Sequence, residues 1–432
     1  GAFALTVTGG NNSFVSTTPF LHTGALTLGA SSNDYFHFPN GASITTPSAI
    51  HMAGTFATGN QNPLSLGDAN TPLALTAATV IHSGTGMTTL GGALTGAHAL
   101  TVSGPVTLNG ETLDTGNASQ NFGGAMTLGA DTLLSAGSAN VTLSSTVNGA
   151  YALTVNSSGI TTFGGAVGGV IPLTRVTTNA GGTLLMNGGS VTTTGAQSYG
   201  EAVTLGANTT LDASSGDVTL SSTVDGAYTL TVNSTGTTTF GDAMGHTTAL
   251  TRVTTNAGGT LVMNGAEVTT TGAQSYGEAV TLGADTRLQG VNVAFASTLD
   301  GAYSLNLSDT GTTIFGGSVG GFTALTNLET DTSATSAGET QLKGAVVRTT
   351  HDVVFNDAVK VFADVSIQAA GQLTLMQTVN ADAANLRTLS LNSGSLGTIT
   401  VQGALGHNMP FKTLEVVNSD TTSFAGGVTT SD

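Results

Sequence analysis

A long internal repeat constrains this chain more than any other feature of its sequence. The nonapeptide Ser-Tyr-Gly-Glu-Ala-Val-Thr-Leu-Gly begins at Ser198 and again at Ser275, which sets a period of 77, and a related nonapeptide begins one period earlier at Asn121. A fixed period of this length is typical of folds in which equivalent units stack on one another. The fold of the repeat therefore decides the fold of most of the chain.

A shorter period divides each repeat. Similar β-type runs occupy residues 202–205, 228–232 and 252–255, and the next begins at Ala279, so that successive starts differ by 26, 24 and 27. Steps of this size match one turn of a β-solenoid, in which each coil contributes two or three short strands. We therefore predict an all-β chain that folds as a parallel β-helix (β-solenoid), with about 26 residues per coil and three coils per repeat.

The apolar residues of these runs alternate with threonine, as expected for strands with one buried face. We predict that the apolar side chains point into the solenoid and that the threonines point out. The predicted inward residues are Val203, Leu205, Leu230, Val232, Val280 and Leu282, and the predicted outward residues are Thr204, Thr231 and Thr281. Three phenylalanines that precede glycine are placed in the core at corners, namely Phe163, Phe240 and Phe315.

Composition excludes several classes of protein. Glycine supplies 61 of 432 residues, but 39% of the chain is hydrophobic, so glycine indicates tight corners with positive φ rather than disorder. The net charge of −17 argues against nucleic acid and anionic membranes as partners, because both require clustered Lys and Arg. Cysteine is absent, which excludes disulfides and thiolate metal sites. No apolar run approaches the roughly 18–20 residues of a membrane helix.

We divide the chain into three segments of one continuous solenoid. Residues 1–120 and 352–432 are predicted to be diverged coils, and residues 121–351 to be three copies of the long repeat. The chain opens in the middle of a repeat, and joining Asp432 to Gly1 would recreate the sequence found around Asp225 and Asp300. We therefore expect the solenoid to continue beyond both ends, within a longer protein or through further copies joined end to end.

The acidic residues do not suggest a catalytic site. Glycan-cleaving β-helices group carboxylates on one face, where they act as acid and base. Asp225 and Asp300 occupy equivalent corners, but Asn148 stands there one repeat earlier, and Asp285 is likewise matched by Asn208. Positions that exchange Asp and Asn indicate turns, because both side chains hydrogen-bond the local backbone. We predict no catalytic residue and no enzymatic activity.

No metal or cofactor site is predicted. A metal site needs ligands gathered in space, and neither an H-E-x-x-H motif, a glycine-rich calcium nonapeptide nor a phosphate loop is present. Five histidines of the first segment stand in unrelated contexts: His22, His37, His51, His82 and His98. Five of the eight Lys and Arg residues lie late in the chain, and they form either a solvated face or a functional patch. These residues are Lys343, Arg348, Lys360, Arg387 and Lys412.

Three repeated segments carry a resemblance to known proteins. They read Gly-Ala-Tyr-x-Leu-Thr-Val-Asn from Gly149, Thr-Thr-Phe-Gly-Gly-Ala-Val-Gly-Gly from Thr161, and Ala-Val-Thr-Leu-Gly-Ala-Asn-Thr from Ala202. This style of repeat resembles the large repetitive exoproteins of Gram-negative bacteria, the filamentous-haemagglutinin-like and autotransporter-type adhesins. The resemblance implies a right-handed parallel β-helix, secreted or displayed at the cell surface, that acts in adhesion or in a biofilm matrix. It also implies host surfaces, neighbouring cells or polysaccharide as partners.

The expected function is structural, as a rod or fibre segment of such an extracellular protein. A carbohydrate-active or carbohydrate-binding β-helix is the main alternative, and it would need a groove with clustered acids and aromatic rings. An ice-binding solenoid is a further alternative, since threonine runs at 192–194, 237–239 and 269–271 could form outward ladders. Coils between these runs interrupt the ladder, which weakens that alternative.

Overall fold

The computed structural model describes residues 1–331 and 338–431. The described residues form strands, turns and bends, with no helix among them. Each strand pairs in parallel with strands about one coil before and after it, so the chain folds as a parallel β-solenoid, as predicted. Contacts within the chain define two compact units, Gly1–Gly216 and Asp217–Asp432.

The three-segment division of the chain stays a prediction. Its middle segment includes residues 332–337, which lie outside the described residues, and so does Asp432 of the expected end-to-end junction.

The first unit consists of coils with three strand-bearing faces, which we call A, B and C in chain order. Two long strands, Ile50–Thr58 and Leu73–His82, each run from face A onto face B. Face A otherwise contains Leu5–Val7, Leu26–Leu28, Leu94–Thr95, Thr112–Asp114, Thr132–Gly137, Ala152–Ser157, Arg175–Thr178 and Gln197–Tyr199. Face B contains Asn12–Ser13, Tyr35–Phe38, Leu100–Val102, Gln120–Phe122, Val141–Leu143, Ile160–Phe163, Thr183–Met186 and Ala202–Leu205. Face C contains Ala42–Ile44, Leu64–Leu66, Thr88–Leu90, Val106–Leu108, Met126–Leu128, Val147–Asn148, Ser190–Thr192 and Thr209–Ser214.

The second unit is built in the same way, and its faces are called D, E and F in chain order. Face D contains Val218–Leu220, Thr237–Phe240, Thr260–Met263, Ala279–Leu282, Leu299–Asp300, Val346–Arg348, Val365–Gln368, Thr388–Asn392 and Thr413–Asn418. Face E contains Val224–Asp225, Glu267–Thr269, Thr286–Gly290, Leu305–Asp309, Leu328–Thr330, Val353–Phe355, Gln372–Leu375, Thr398–Val401 and Thr421–Phe424. Face F contains Thr229–Ser234, Arg252–Thr255, Gln274–Tyr276, Val293–Phe295, Thr312–Phe315, Glu339–Leu342, Ala358–Val361 and Val379–Ala381.

The coils are shorter than the sequence suggested. Leu5 pairs with Leu26, and Thr254 pairs with Ser275, so that both pairs define a coil of about 21 residues. The longer coil predicted from the sequence is therefore wrong. The prediction counted only the strongly apolar runs, whereas short polar strands such as Gln274–Tyr276 also occupy positions in the stack.

The long repeat is not a whole number of coils. From Met126 on face C to its equivalent Val203 on face B, the chain makes eleven strand-to-strand steps, counting the isolated bridge at Val167 as a strand position. Because each coil has three faces, eleven steps equal three and two-thirds coils rather than the predicted three. The second unit shows the same shift, since Val224 lies on face E and its equivalent Leu299 on face D. Equivalent residues of successive repeats therefore point to different sides of the solenoid.

The predicted core is confirmed. All six apolar residues predicted to point inward are buried, as are Phe163, Phe240 and Phe315. Thr204 and Thr281 are exposed as expected, while Thr231 is only half-buried.

Candidate functional site

Four short loops project from the stacked strands at equivalent positions of the repeat. We call them tip loops 1 to 4, and they comprise residues 168–172, 245–249, 320–324 and 406–410. Each begins with a buried glycine in the left-handed region, continues with three exposed residues, and ends at a half-buried one. A residue paired to the neighbouring coils stands on either side, as Met244 and Leu250 do for tip loop 2. The loops therefore share the same opening glycine turn and the same pattern of exposure.

The opening glycine is required by close packing. Gly168 has a φ of 71°, and a Cβ atom there would lie against the carbonyl oxygen of Thr192 on the next coil. Gly245 has the same φ and would meet the carbonyl oxygen of Thr269. Any other residue would be strained at these positions and would push the coils apart.

A single side chain clamps each tip loop. Oδ1 of Asp225 accepts hydrogen bonds from the backbone N–H groups of Thr247 (2.8 Å) and Thr248 (3.0 Å). Oδ1 of Asp300 holds tip loop 3 through two N–H groups, and Asn148 and Asn380 hold tip loops 1 and 4 in the same way. The prediction that Asp225, Asp300 and Asn148 form turns through the local backbone is therefore wrong, because each ends a strand and binds the backbone of the next coil, 22 or 23 residues later.

The second pair of exchanging positions also binds backbone. Oδ1 of Asp285 accepts a 2.8 Å hydrogen bond from the N–H group of Ser304 on the next coil. Asp131 occupies the equivalent position two repeats earlier, and its Oδ1 accepts a hydrogen bond from the N–H group of Ala152 in the same manner. These two carboxylates therefore join neighbouring coils.

The exposed side chains of the tip loops differ even where the surrounding repeats are nearly identical. Residues 173–211 and 250–288 differ at only five of 39 positions, whereas residues 169–172 and 246–249 differ at all four. Val170 is 82% exposed in tip loop 1, and Phe322 is 92% exposed in tip loop 3. One constant frame therefore presents a different set of side chains in each repeat.

Tip loop 2 carries a charged brace that tip loop 1 lacks. Nδ1 of His246 lies 2.9 Å from one carboxylate oxygen of Glu267, and the other oxygen lies 3.4 Å from Arg287. The hydrogen bond to Glu267, together with its charge, raises the pKa of His246, and the same contact lowers the pKa of Glu267. The equivalent residues of the previous repeat are Gly169, Ser190 and Thr210, so the three charged residues occur together.

The bases late in the chain do not share one contact. The guanidinium of Arg348 donates to the carbonyl oxygens of Gly321 and Phe322, which braces tip loop 3. Arg387 forms a two-pronged ion pair with Asp382, which lowers the pKa of that carboxyl group. The ammonium groups of Lys343 and Lys360 instead lie over the ring of Phe362, at 5.2 and 5.4 Å. Three different structural roles thus account for four of the five bases.

The threonine runs do not form outward ladders. The middle residues Thr193, Thr238 and Thr270 are buried, so each run turns one hydroxyl group inward. Thr193 donates to the carbonyl oxygen of Gly195 and accepts from the amide group of Gln197. On the outward side, Thr192 pairs with Asp212, Thr239 with Val262 and Thr269 with Gln289 of the next coil, so threonine does not continue from coil to coil at these positions.

In the second unit the tip loops leave from different faces. Tip loop 2 follows Met244, which pairs with strands of face E, and tip loop 3 follows Val319, which pairs on face D. Tip loop 4 follows Leu405, which pairs with Val379 on face F. This distribution results from the repeat of eleven strand steps. Sequence reasoning did not identify the tip loops, although the cluster of differences at 169–172 was visible in the sequence.

Within 1–331 and 338–431, no three Asp, Glu or His side chains are grouped as metal ligands. Over the same residues, no helix is long and apolar enough to cross a membrane. No protein family, curated protein or solved structure matches the chain.

Proposed function

We propose that this chain is a structural segment of a large secreted or surface-displayed, adhesin-like protein of a Gram-negative bacterium. In this proposal the stacked coils serve as the scaffold and the tip loops make contact with other surfaces. The observation that carries it is the constant clamp of each tip loop, combined with exposed side chains that differ from repeat to repeat. Binding residues are commonly placed on loops held by a rigid scaffold.

The composition supports an extracellular role. The chain carries a net charge of −17 and no cysteine, and its repeats resemble those of Gram-negative exoproteins. A strongly negative chain stays soluble and resists non-specific association with other acidic surfaces. The partners we propose are the surfaces of host or neighbouring cells, or polysaccharide, and contact through uncharged tips such as Val170 and Phe322 fits these partners.

The location is tested with antibodies raised against the purified chain. Intact cells of the source bacterium, permeabilised cells with a cytoplasmic marker, and culture supernatant are compared. We expect labelling of intact cells or secretion into the medium. Labelling that requires permeabilisation would contradict the extracellular part of the proposal.

The role of the tip loops is tested with beads coated with the purified chain. Adhesion to cells of the source bacterium and to its extracted polysaccharide is measured for the wild type and for a variant with Val170→Ser, Ile171→Ser and Phe322→Ser. Leu396→Ser is the matched control, because Leu396 is 91% exposed but lies outside the tip loops. We expect adhesion to fall severalfold in the triple variant and not in the control.

Two results would overturn this assignment. Wild-type beads that adhere to neither surface would remove the adhesive role. Release of new reducing ends from the polysaccharide would instead support the carbohydrate-active alternative.

A further inference from the structure

Three equivalent corners contain carboxyl groups buried inside the coils. Glu201 and Glu278 occupy the same position of two successive repeats, directly before Ala-Val, and Asp357 follows at the next one. Their exposed fractions are 1%, 2% and 3%. We call these sites acid corners 1, 2 and 3. Buried acids normally have a cation or several hydrogen-bond donors as partners.

Acid corner 1 supplies neither kind of partner. Both carboxyl oxygens of Glu201 are buried and make no hydrogen bond with the protein. The hydroxyl groups of Thr161 and Thr178 face this carboxyl group, and they too are buried without a hydrogen bond. Gly182 closes the corner on the neighbouring coil, where a Cβ atom would lie 2.8 Å from Oε2 of Glu201.

Acid corner 2 repeats the arrangement in the second unit. Both carboxyl oxygens of Glu278 are buried without a hydrogen bond, and so is the hydroxyl group of Thr238. Thr255 faces the same carboxyl group, and its hydroxyl accepts a 3.3 Å hydrogen bond from the N–H group of Gly277. The arrangement therefore occurs twice, in two units with separate surroundings.

No charge compensates these two acids. Among the described residues, the ion pairs within 4.0 Å involve Glu267 and Asp382 but neither Glu201 nor Glu278. In the described part of the chain, the side chains that act on the ionisation of Glu201 and Glu278 are threonine hydroxyls. Burial is the larger effect and raises the pKa of Glu201 to about 7, while the facing Thr178 and Thr161 lower it by less. Burial also raises the pKa of Glu278.

Acid corner 3 contains three acids, and two of them accept hydrogen bonds. Asp357 accepts hydrogen bonds from Thr330 and Thr340, each at 2.8 Å, and Asp309 accepts from Thr313 and from two backbone N–H groups. A third acid, Asp331, keeps one buried oxygen without a hydrogen bond. Burial, and then repulsion from the other two carboxylates, raises the pKa of Asp331 to about 6.

We propose that acid corners 1 and 2 are internal proton-binding sites that stabilise the stacked coils under mildly acidic conditions. When the carboxyl group takes up a proton, it becomes a neutral donor that can bond a facing threonine hydroxyl. When it loses the proton, a buried charge is left that faces threonine hydroxyls but has no ion-pair partner. Proton uptake therefore tightens the contact between neighbouring coils, and proton loss loosens it. This proposal does not depend on the function proposed above.

The direction in which pH changes the stability of the chain follows from the raised pKa of these two acids. An acid whose folded-state pKa is raised contributes its full stability below its unfolded-state pKa, and this contribution is lost as pH rises through the folded-state pKa. For Glu201 the loss extends from about 4.5 to above 7. The chain should therefore be less stable at pH 8 than at pH 5.

The test is urea unfolding of the full chain at pH 5 and pH 8. The variant is Glu201→Gln with Glu278→Gln, which keeps the shape of each side chain and cannot ionise. We expect the variant to unfold at a higher urea concentration than the wild type at pH 8, and to lose much of the wild-type difference between the two pH values. Glu111→Gln is the control, since Glu111 is an exposed glutamate of the first unit, and it should behave as the wild type.

A measurement on the unmodified chain keeps the proposal testable if the variant folds poorly. Glutamate labelled with ¹³C at the carboxyl carbon is followed by NMR between pH 3 and pH 9. Two of the labelled carboxyl groups should titrate above the remainder, that of Glu201 at about pH 7, and their signals should be missing from the spectrum of the double variant. Titration of every glutamate within the usual range, or a variant with an unchanged pH dependence of stability, would overturn the proposal.

Discussion

The phenolic hydroxyl group of Tyr199 donates a 2.9 Å hydrogen bond to the buried side-chain oxygen of Gln197. The amide nitrogen of Gln197 donates in turn to the carbonyl oxygens of Val191 (3.1 Å) and Asp212 (2.8 Å), which lie on successive coils. Tyr276 and Gln274 repeat this arrangement. A buried polar network thus joins neighbouring coils, and each of these side chains has its hydrogen-bond partners.

The preceding repeat contains a natural variant of this pair. Phe122 stands in the place of Tyr199, and the side-chain oxygen of Gln120 is buried without a hydrogen bond. A buried acceptor without a donor costs about 1–3 kcal/mol. We predict that Tyr199→Phe destabilises the chain by about 1–2 kcal/mol and that Phe122→Tyr stabilises it by up to about 1 kcal/mol, as measured by urea unfolding. Equal effects of the same sign would refute this explanation of the network.

The alternation of inward and outward side chains gives a second prediction. Leu230 is 1% exposed, whereas Thr281 is exposed on the outer surface of a strand. Leu230→Asp should lower the free energy of unfolding by several kcal/mol, because it places an unpaired charge in the core. Thr281→Asn is the control, because Thr281 pairs with Asp300 and a second carboxylate there would add repulsion, and it should change this free energy by less than about 1 kcal/mol. Comparable losses in the two variants would show that the assigned register is wrong.

The clamp of tip loop 2 gives a third prediction. Asp225→Ala removes both hydrogen bonds to Thr247 and Thr248, so the amide protons of these two residues should exchange with solvent at least tenfold faster. Asp225→Asn should preserve protection, since Asn148 and Asn380 perform the same role elsewhere. Hydrogen exchange followed by NMR or mass spectrometry provides the measurement. Unchanged protection in the alanine variant would mean that the glycine turn alone fixes the loop.

The contact between His246 of tip loop 2 and Glu267 gives a fourth prediction, a pH dependence that arises from a histidine rather than from a buried acid. The hydrogen bond and charge of Glu267 raise the pKa of His246, so this contact is fully formed below the unfolded-state pKa and is lost as pH rises through the raised value. Glu267→Gln should lower the pKa of His246 toward the ordinary histidine value, which proton NMR of the imidazole ring can follow. Arg287→Gln leaves the His246 contact in place and should have the smaller effect. An unaltered titration of His246 in Glu267→Gln would show that the pair does not persist in solution.

Parts of this structure could be predicted because they depend on local chemistry. The alternation around Leu230 and Thr231 indicated which face of the strand is buried, and the Asp and Asn exchange at Asp225 indicated a side chain that binds backbone, although not that this backbone belongs to the next coil. The coil length could not be obtained in this way. Gln274 and the isolated bridge at Met244 occupy full positions in the stack, yet neither has the sequence pattern of a strand.

The acid corners were missed for a related reason. Glu201 stands between Gly200 and Ala202 in a segment that resembles a turn, and turns usually lie on the surface. Whether such a residue is buried depends on the neighbouring coils, which supply Thr161 and Thr178 from positions distant in sequence. A coil of about 21 residues brings Thr161 and Thr178 beside Glu201, whereas the longer coil predicted from the sequence would keep them apart.

The central claim is the short coil that places Thr254 beside Ser275, and disulfide formation between introduced cysteines tests it most directly. The chain contains no cysteine of its own, and parallel neighbouring strands lie about 4.8 Å apart, within the Cα separation that a disulfide allows. The longer coil predicted from the sequence would instead place Thr254 beside Thr281. Under mild oxidation the cysteine pair at 254 and 275 should cross-link rapidly within the folded monomer, and the pair at 254 and 281 should not. Cross-linking of the second pair in preference to the first would contradict the stacking described here.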